Sequence, residues 1–155
     1  MKSGIVFPGA EGRQRHVGQV RTELKLTNTY DEGRALNEDI LLEEVRSVLV
    51  HDALVDTGAN LLALPSAFVE QLGLTIQREV TVETAAGVRT ARIVGPVTLE
   101  VEGRRGTFEC LELPGGDTPL LGEVPLEALG LELDLQNQRL IVLPDRGPGT
   151  YVMAL

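Results

Sequence analysis

The chain has 155 residues, enough for one domain with a substantial hydrophobic core. Apolar residues make up 43% and charged residues 24%, a globular composition that excludes wholesale disorder. The net charge is -9, with three Phe, two Tyr and no Trp. Nucleic acid is therefore disfavoured as a partner, because phosphates need positive charge and single strands stack on aromatic rings.

The only cysteine, Cys110, has no partner for an internal disulfide, which favours a reducing compartment, the cytoplasm. Its thiol is either a catalytic nucleophile or a small buried hydrophobic group, and the strand-like run at residues 106–111 favours the second. No apolar run approaches the roughly 18 residues of a membrane span, so no membrane partner is expected. Residues 1–9 lack the apolar region of a signal peptide.

The chain divides into an arm, a domain and a tail. Glycine and proline recur in residues 1–16, which predicts a flexible N-terminal arm. Residues 17–144 carry the periodic patterns of one domain. Residues 145–155 are a tail whose apolar end is either a dimer-interface strand or a frayed terminus.

The first half of the domain begins with strands. Alternating residues over 17–27 predict a half-buried strand, and the polar run 28–37 predicts a turn or loop. Residues 43–50 are predicted to form the first strand of a hairpin that turns near His51-Asp52 and returns over 53–55.

Short strands and two short helices follow. Residues 65–73 and 125–130 each begin with proline and end with glycine, the punctuation of a helix. Further strands are predicted at residues 80–83, 88–94, 97–101, 107–113, 131–135 and 139–143. Many short strands with one or two short helices predict a mainly β, closed barrel.

The two halves form a weak internal repeat. Each contains an apolar strand, a glycine turn, a proline-started helix and Leu-Gly-Leu, at 72–74 and 129–131. The first turn is Asp56-Thr57-Gly58, whereas the second is Leu120-Leu121-Gly122. One half therefore carries a carboxylate that the other lacks.

The run 54–59 (Leu-Val-Asp-Thr-Gly-Ala), the hairpin after it and the matching Leu120-Leu121-Gly122 resemble the retropepsin-like aspartic peptidases, including small chromosomal versions in bacteria. The resemblance covers residues 17–144. It implies an acid-protease-type barrel, one half of a pepsin-like bilobal architecture. It also implies an aspartic endopeptidase that acts on extended polypeptide without metal or cofactor.

The resemblance makes Asp56 the catalytic residue, with Thr57 and Gly58 supporting its turn. Metal-free peptide hydrolysis needs two carboxylates close enough to share one proton, one acting as base and the other as acid. The chain has one Asp-Thr-Gly, and the near match Asp117-Thr118-Pro119 replaces the glycine with a residue that lacks an N–H. A twofold homodimer, which places Asp56 beside its symmetry mate, is therefore predicted.

Substrate contacts are expected at Ala59 and Asn60, as the resemblance implies. Thr84-Ala85-Ala86-Gly87 is interpreted either as the tip of a flap that covers the substrate or as an ordinary hairpin turn. Leu120, Leu121 and Gly122 are expected to pack under the catalytic loop. Viral members pair an acidic residue after the alanine with an arginine after the second glycine. Those places here are Asn60-Leu61 and Glu123, so that salt bridge is absent.

Other interpretations stay open at this point. Asp56 has the alternative role of a capping aspartate in a turn. The barrel has the alternative function of a catalytically inactive peptide-binding or dimerisation module, and an unrelated small β-barrel is a third hypothesis. His16 and His51 have no metal-ligand spacing, so no metal is expected.

Overall fold

The computed structural model describes residues 19–113 and 115–144, together with the backbone of Ile5–Val6. The strands are β1 Ile5–Val6, β2 Val20–Asn28, β3 Ser47–Val55, β4 Leu62–Pro65, β5 Thr75–Thr84, β6 Gly87–Val101, β7 Arg104–Leu113, β8 Leu120–Leu121, β9 Leu131–Asp134 and β10 Arg139–Val142. The helices are α1 Thr29–Leu36, α2 Ser66–Leu72, α3 Glu123–Leu129 and a short 3-10 helix, Leu42–Glu44.

Six strands close into a barrel. Their hydrogen-bonded order is β6, β2, β3, β8, β4 and β7, and β7 pairs with β6 to complete the ring. The prediction of a mainly β, closed acid-protease-type barrel is therefore confirmed. β9 and β10 form a separate antiparallel pair, as predicted.

The β5–β6 hairpin extends from the barrel wall. Residues 87–95 of β6 pair with β5, whereas residues 97–100 pair with β2 and β7 inside the ring. β1 lies parallel to β5 on the edge that faces away from β6. β1 is the described part of the predicted arm, residues 1–16; the rest of the arm and the tail 145–155 lie outside the described residues.

Two groups of buried apolar side chains hold the fold together. The barrel is filled by an interior cluster that includes Leu24, Leu26, Val50, Ala53, Val55, Leu64, Leu99 and Leu121. The second group, the hairpin-side cluster, contains Leu54, Ala63, Val82, Ala91, Ile93, Leu111, Leu113 and Leu120. Each fully buried Leu or Val contributes roughly 1.5–3 kcal/mol of transfer free energy, so these clusters dominate the stability.

The prediction of a turn or loop at residues 28–37 is wrong, because this segment forms α1. Asn28 caps the helix by accepting the backbone N–H of Asp31 at 3.0 Å. The buried Asp31 carboxylate accepts Nε of Arg46 at 2.8 Å and Nη2 at 3.0 Å, and these bonds hold the pKa of Asp31 below its ordinary value. The helix depends on a cap and an ion pair instead of an apolar stripe, so hydrophobic periodicity gives no sign of it.

The hairpin predicted over residues 43–55 is also wrong. β3 runs through this region without a turn and pairs along its length with β2. His51 and Asp52 together lie opposite the single residue Glu23, which makes a β-bulge. Both side chains are exposed, and two adjacent polar residues look like a turn in the sequence.

The other helices and the hairpin turn agree with the predictions. α2 and α3 each end at a left-handed glycine, Gly73 with φ of 61° and Gly130 with φ of 68°. α3 begins at Glu123, two residues before the proline that the sequence suggested as its start. β5 and β6 are joined at the predicted turn, and Gly87 there has φ of 107°.

Candidate active site

Asp56 follows directly after β3, which lies between β2 and β8 in the barrel. Its backbone N–H donates to the carbonyl of Leu121 at 3.0 Å, and the N–H of Leu54 donates to the carbonyl of Pro119 at 3.0 Å. These bonds continue the parallel pairing of β3 with β8 past the end of the strand. The sheet therefore fixes the backbone of Asp56.

The two oxygens of the Asp56 carboxylate have different surroundings. Oδ1 accepts the backbone N–H of Gly58 at 2.8 Å. Oδ2 is buried and has no hydrogen-bond partner among the described residues. An unpaired buried acceptor is unfavourable by roughly 1–3 kcal/mol. The carboxylate is thus held on one side and left without a partner on the other.

The loop after Asp56 is tied to the start of α3. The N–H of Glu123 donates to the carbonyl of Ala59 at 2.9 Å, and the N–H of Val124 donates to the carbonyl of Asn60 at 2.9 Å. These main-chain bonds occupy the positions where viral members place a salt bridge, and they satisfy the free N–H groups of the helix. Main-chain hydrogen bonds therefore tie this loop to α3 in the absence of that ion pair.

The predicted substrate contacts in this loop differ in exposure. The Ala59 side chain is fully buried, and its N–H donates to the carbonyl of Asp56 at 3.1 Å. Asn60 and Thr57 are exposed. Their roles at the cleft stay predictions.

Leu120, Leu121 and Gly122 lie beneath this loop. Leu120 pairs with Leu54 and Leu121 with Val55 across β8 and β3. A Cβ on Gly122 would lie 2.3 Å from the carbonyl oxygen of Leu61, so the crowded backbone admits only glycine. The second half of the repeat thus supplies packing where the first supplies a carboxylate.

The β5–β6 hairpin shares a buried cluster with the strands that precede and support the Asp56 turn. Val82 of β5 packs in the hairpin-side cluster with Leu54 and Leu120, the paired residues beside Asp56. At the tip, the Thr84 hydroxyl donates to the carbonyl of Gly87 at 2.7 Å and accepts the N–H of Ala86 at 3.2 Å. Ala85, Ala86 and Gly87 are exposed. The hairpin therefore has a hydrogen-bonded tip at the end of a strand whose Val82 belongs to the same cluster as Leu54 and Leu120.

One further residue stands out that the sequence did not indicate. Oε1 of Glu83, just before the tip, is buried and has no hydrogen-bond partner among the described residues. A single glutamate in a strand belongs to no motif, so no sequence signal identifies it. It is the second buried carboxylate oxygen without a partner in this part of the chain.

Other candidate groups do not form sites. Cys110 is fully buried in the interior cluster, and burial raises the pKa of its thiol well above its ordinary value. Among residues 19–113 and 115–144, no group of His, Cys, Asp and Glu side chains has the arrangement of a metal site. No helix in the described part of the chain is long and apolar enough to cross a membrane.

Comparison with known proteins agrees with this geometry. The family model described as "Aspartyl protease" matches residues 44–124, more than half of the chain. No curated protein matches the chain. The matched range contains the Asp56 turn, the β5–β6 hairpin and Leu120-Leu121-Gly122. Fold and site define the class, an acid-protease-type barrel with one Asp-Thr-Gly turn. The chain belongs to the retropepsin-like aspartyl protease family.

Proposed function

We propose that the protein is an aspartic endopeptidase whose active site is built from the Asp56 carboxylates of two identical subunits. The observation that carries the proposal is the buried, unpaired Oδ2 of Asp56 beside the anchored Oδ1. A second carboxyl group from the partner, sharing one proton with the first, would supply the missing hydrogen bond. The substrate is an extended polypeptide, and no cofactor takes part.

The reaction follows from the shared proton. Two carboxylates about 3 Å apart do not both ionise, so one is charged and the other protonated, and the pKa values belong to the pair. The charged group removes a proton from water, and the water oxygen attacks the peptide carbonyl carbon while the protonated group gives its proton to the carbonyl oxygen. The group that took the proton from water then gives it to the amide nitrogen while the other carboxylate takes a hydroxyl proton from the tetrahedral intermediate, so the C–N bond breaks to an acid and an amine and the shared proton is restored.

The homodimer is a requirement of this chemistry. The sequence has a single Asp-Thr-Gly, so one chain supplies one carboxylate. A twofold axis beside the turn places identical residues against each other. The exposed Thr57 would then meet its counterpart and brace the two turns.

The hairpin tip at Thr84-Ala85-Ala86-Gly87 is proposed as a flap that closes over the bound peptide and excludes water. Asn60 and the backbone of Ala59 would contact the substrate from below. The cluster that Val82 of the hairpin shares with Leu54 and Leu120, beside Asp56, supports this assignment. We place the enzyme in the cytoplasm because its lone, buried Cys110 needs no oxidising compartment.

The first test is cleavage of a peptide library between pH 4 and 7 by wild type, Asp56→Asn and Asp52→Asn. Asp52 is an exposed aspartate four residues earlier and serves as the matched control. We expect Asp56→Asn to lose activity by at least about 1,000-fold while Asp52→Asn keeps it. Activity that survives in Asp56→Asn overturns the mechanism. If the wild type binds peptides but does not cleave them, the protein is the catalytically inactive binding module instead.

The second test asks whether both carboxylates come from Asp56. Equal amounts of wild type and Asp56→Asn are mixed above the dimer dissociation constant, which sedimentation establishes. Random exchange leaves about half of the wild-type chains in wild-type dimers, so the activity of a fixed amount of wild type falls to about half. Asp52→Asn added in the same way has no effect. Undiminished activity with Asp56→Asn, or full activity in a strict monomer, contradicts the shared site.

A further inference from the structure

We infer that the outer edge of β5 is a docking edge for an extended strand, that residues 5–6 of this chain occupy it, and that they compete with the substrate. The inference rests on the proposed function, because the arm would exclude the polypeptide substrate of the proposed peptidase. It adds a regulatory role for the N-terminal arm.

The strand pairing is the first observation. Ile5 lies opposite Val82 and Val6 opposite Glu83, in parallel register, on the edge of β5 that faces away from β6. β5 is the outermost strand of the hairpin apart from β1. The edge of such a strand presents main-chain donors and acceptors that an extended segment satisfies. Residues 5–6 of the same chain therefore show that this edge accepts a strand.

The position of this edge explains why a docked strand would affect substrate binding. Val82 packs with Leu54 and Leu120, which flank the catalytic turn. The proposed flap tip begins at Thr84, two residues after Val82. A strand on this edge therefore runs beside the tip end of the hairpin, which is the part proposed to cover an extended peptide.

A second observation points to a ligand at the same place. Oε1 of Glu83, the residue opposite Val6, is buried without a hydrogen-bond partner among the described residues. A peptide strand brings N–H groups and side-chain donors to this edge. With residues 5–6 docked, Oε1 of Glu83 stays unpaired, so a substrate strand that brings a side-chain donor would satisfy an acceptor that the arm leaves free.

The occupant is held weakly enough to be displaced. The described pairing involves two residues, and so short a strand contributes few hydrogen bonds. The covalent link through residues 7–19, which are rich in glycine, raises the local concentration of the segment to the order of millimolar. The arm therefore acts as an intramolecular competitive inhibitor, which a substrate with sufficient affinity displaces.

Disulfide trapping tests the docking without relying on catalysis. Neighbouring Cα atoms on paired strands lie about 5 Å apart, which is within disulfide range. A shift of two residues moves one of the two Cα atoms about 6.6 Å along its strand, out of that range. Val6→Cys with Glu83→Cys should form an intrachain disulfide on mild oxidation, whereas the register-shifted control, Val6→Cys with Thr81→Cys, should react at least about tenfold more slowly. The native Cys110 is buried and does not compete. No disulfide, or equal rates in both pairs, overturns the docking.

Peptide cleavage then tests the competition. The oxidised Val6→Cys/Glu83→Cys protein should cleave at least about fivefold more slowly than its own reduced form, because the competent fraction falls. Ile5→Pro with Val6→Pro, which removes both N–H groups of β1, should lower KM and leave kcat unchanged. Two prolines elsewhere in the arm, Gln14→Pro with Arg15→Pro, should change neither.

The outcomes separate the two proposals. Equal cleavage by the oxidised and reduced forms, with the disulfide formed, overturns the competition. Absence of cleavage in every variant, with a register-specific disulfide, contradicts the proposed peptidase and supports the docking edge on its own.

Discussion

Gly58 donates its backbone N–H to Oδ1 of Asp56 at 2.8 Å, and a Cβ on Gly58 would lie 3.0 Å from the same oxygen. Any residue except proline could donate this N–H, whereas the close approach of the oxygen depends on the missing Cβ of glycine. The carboxylate is thus positioned by a residue that has no side chain.

Gly58→Ala is expected to displace the carboxylate by a few tenths of an ångström and lower kcat/KM by at least about tenfold. The melting temperature should change little, because the turn is at the surface. The control is Gly33→Ala in α1, where an added Cβ meets nothing within 4 Å. That change should stabilise the protein by up to about 1 kcal/mol and leave cleavage unaltered. Full activity in Gly58→Ala would contradict the role assigned to the close approach.

Gly122→Ala is expected to act on stability. Its Cβ would lie 2.3 Å from the carbonyl oxygen of Leu61 and 2.7 Å from that of Ala59, and both atoms belong to a fixed backbone. Overpacking of this kind destabilises by roughly 1–3 kcal/mol or more, and the catalytic loop would shift with it. Urea unfolding beside Gly33→Ala measures the difference. Equal stability of the two variants would show that the loop yields easily.

Thr84→Val is expected to loosen the hairpin tip, because it removes the hydroxyl that bridges Gly87 and Ala86. KM for a peptide should rise about threefold, with kcat changed less, since the bridge is worth about 1 kcal/mol. Thr90→Val, at an exposed position of the same hairpin, is the control. An equal change of KM in both variants would contradict the proposed contact between the hairpin tip and the substrate.

Asp31→Asn should make the stability of the fold less dependent on acid pH. The hydrogen bonds from Arg46 lower the pKa of folded Asp31, so its stabilising effect is complete above the unfolded pKa of about 3.9 and is lost as the pH falls through the folded value. Wild type should exceed Asp31→Asn by about 2 kcal/mol at pH 7, and the gap should shrink below about pH 4. Asp39→Asn, at an exposed position, should show no such gap. A constant gap down to pH 2 would contradict the ion-pair explanation.

The sequence indicates the barrel and the Asp56 turn because both leave local signals. Asp56 stands between apolar runs, and Gly73 and Gly130 mark helix ends through their left-handed backbone. The features it does not indicate depend on distant partners. α1 needs Arg46, which is 15 residues from Asp31, and the anchoring of Ala59 needs the start of α3.

The β-bulge at His51 and Asp52 decides which way the end of β3 faces. Before it, Val50 points into the barrel; after it, Ala53 and Val55 do so, while Leu54 faces the hairpin. If residues 50–55 formed a regular strand without the bulge, the alternation would be reversed from Ala53 onwards, and Leu54 would turn inwards. Deletion of His51 removes the extra residue and restores regular alternation with Val50, Ala53 and Val55 still facing inwards. His51→Ala and the deletion should therefore both leave thermal stability nearly unchanged and keep cleavage, and loss of either on deletion would contradict this account. At this surface site the bulge takes up one additional residue without changing the side of the barrel on which the Asp56 turn opens.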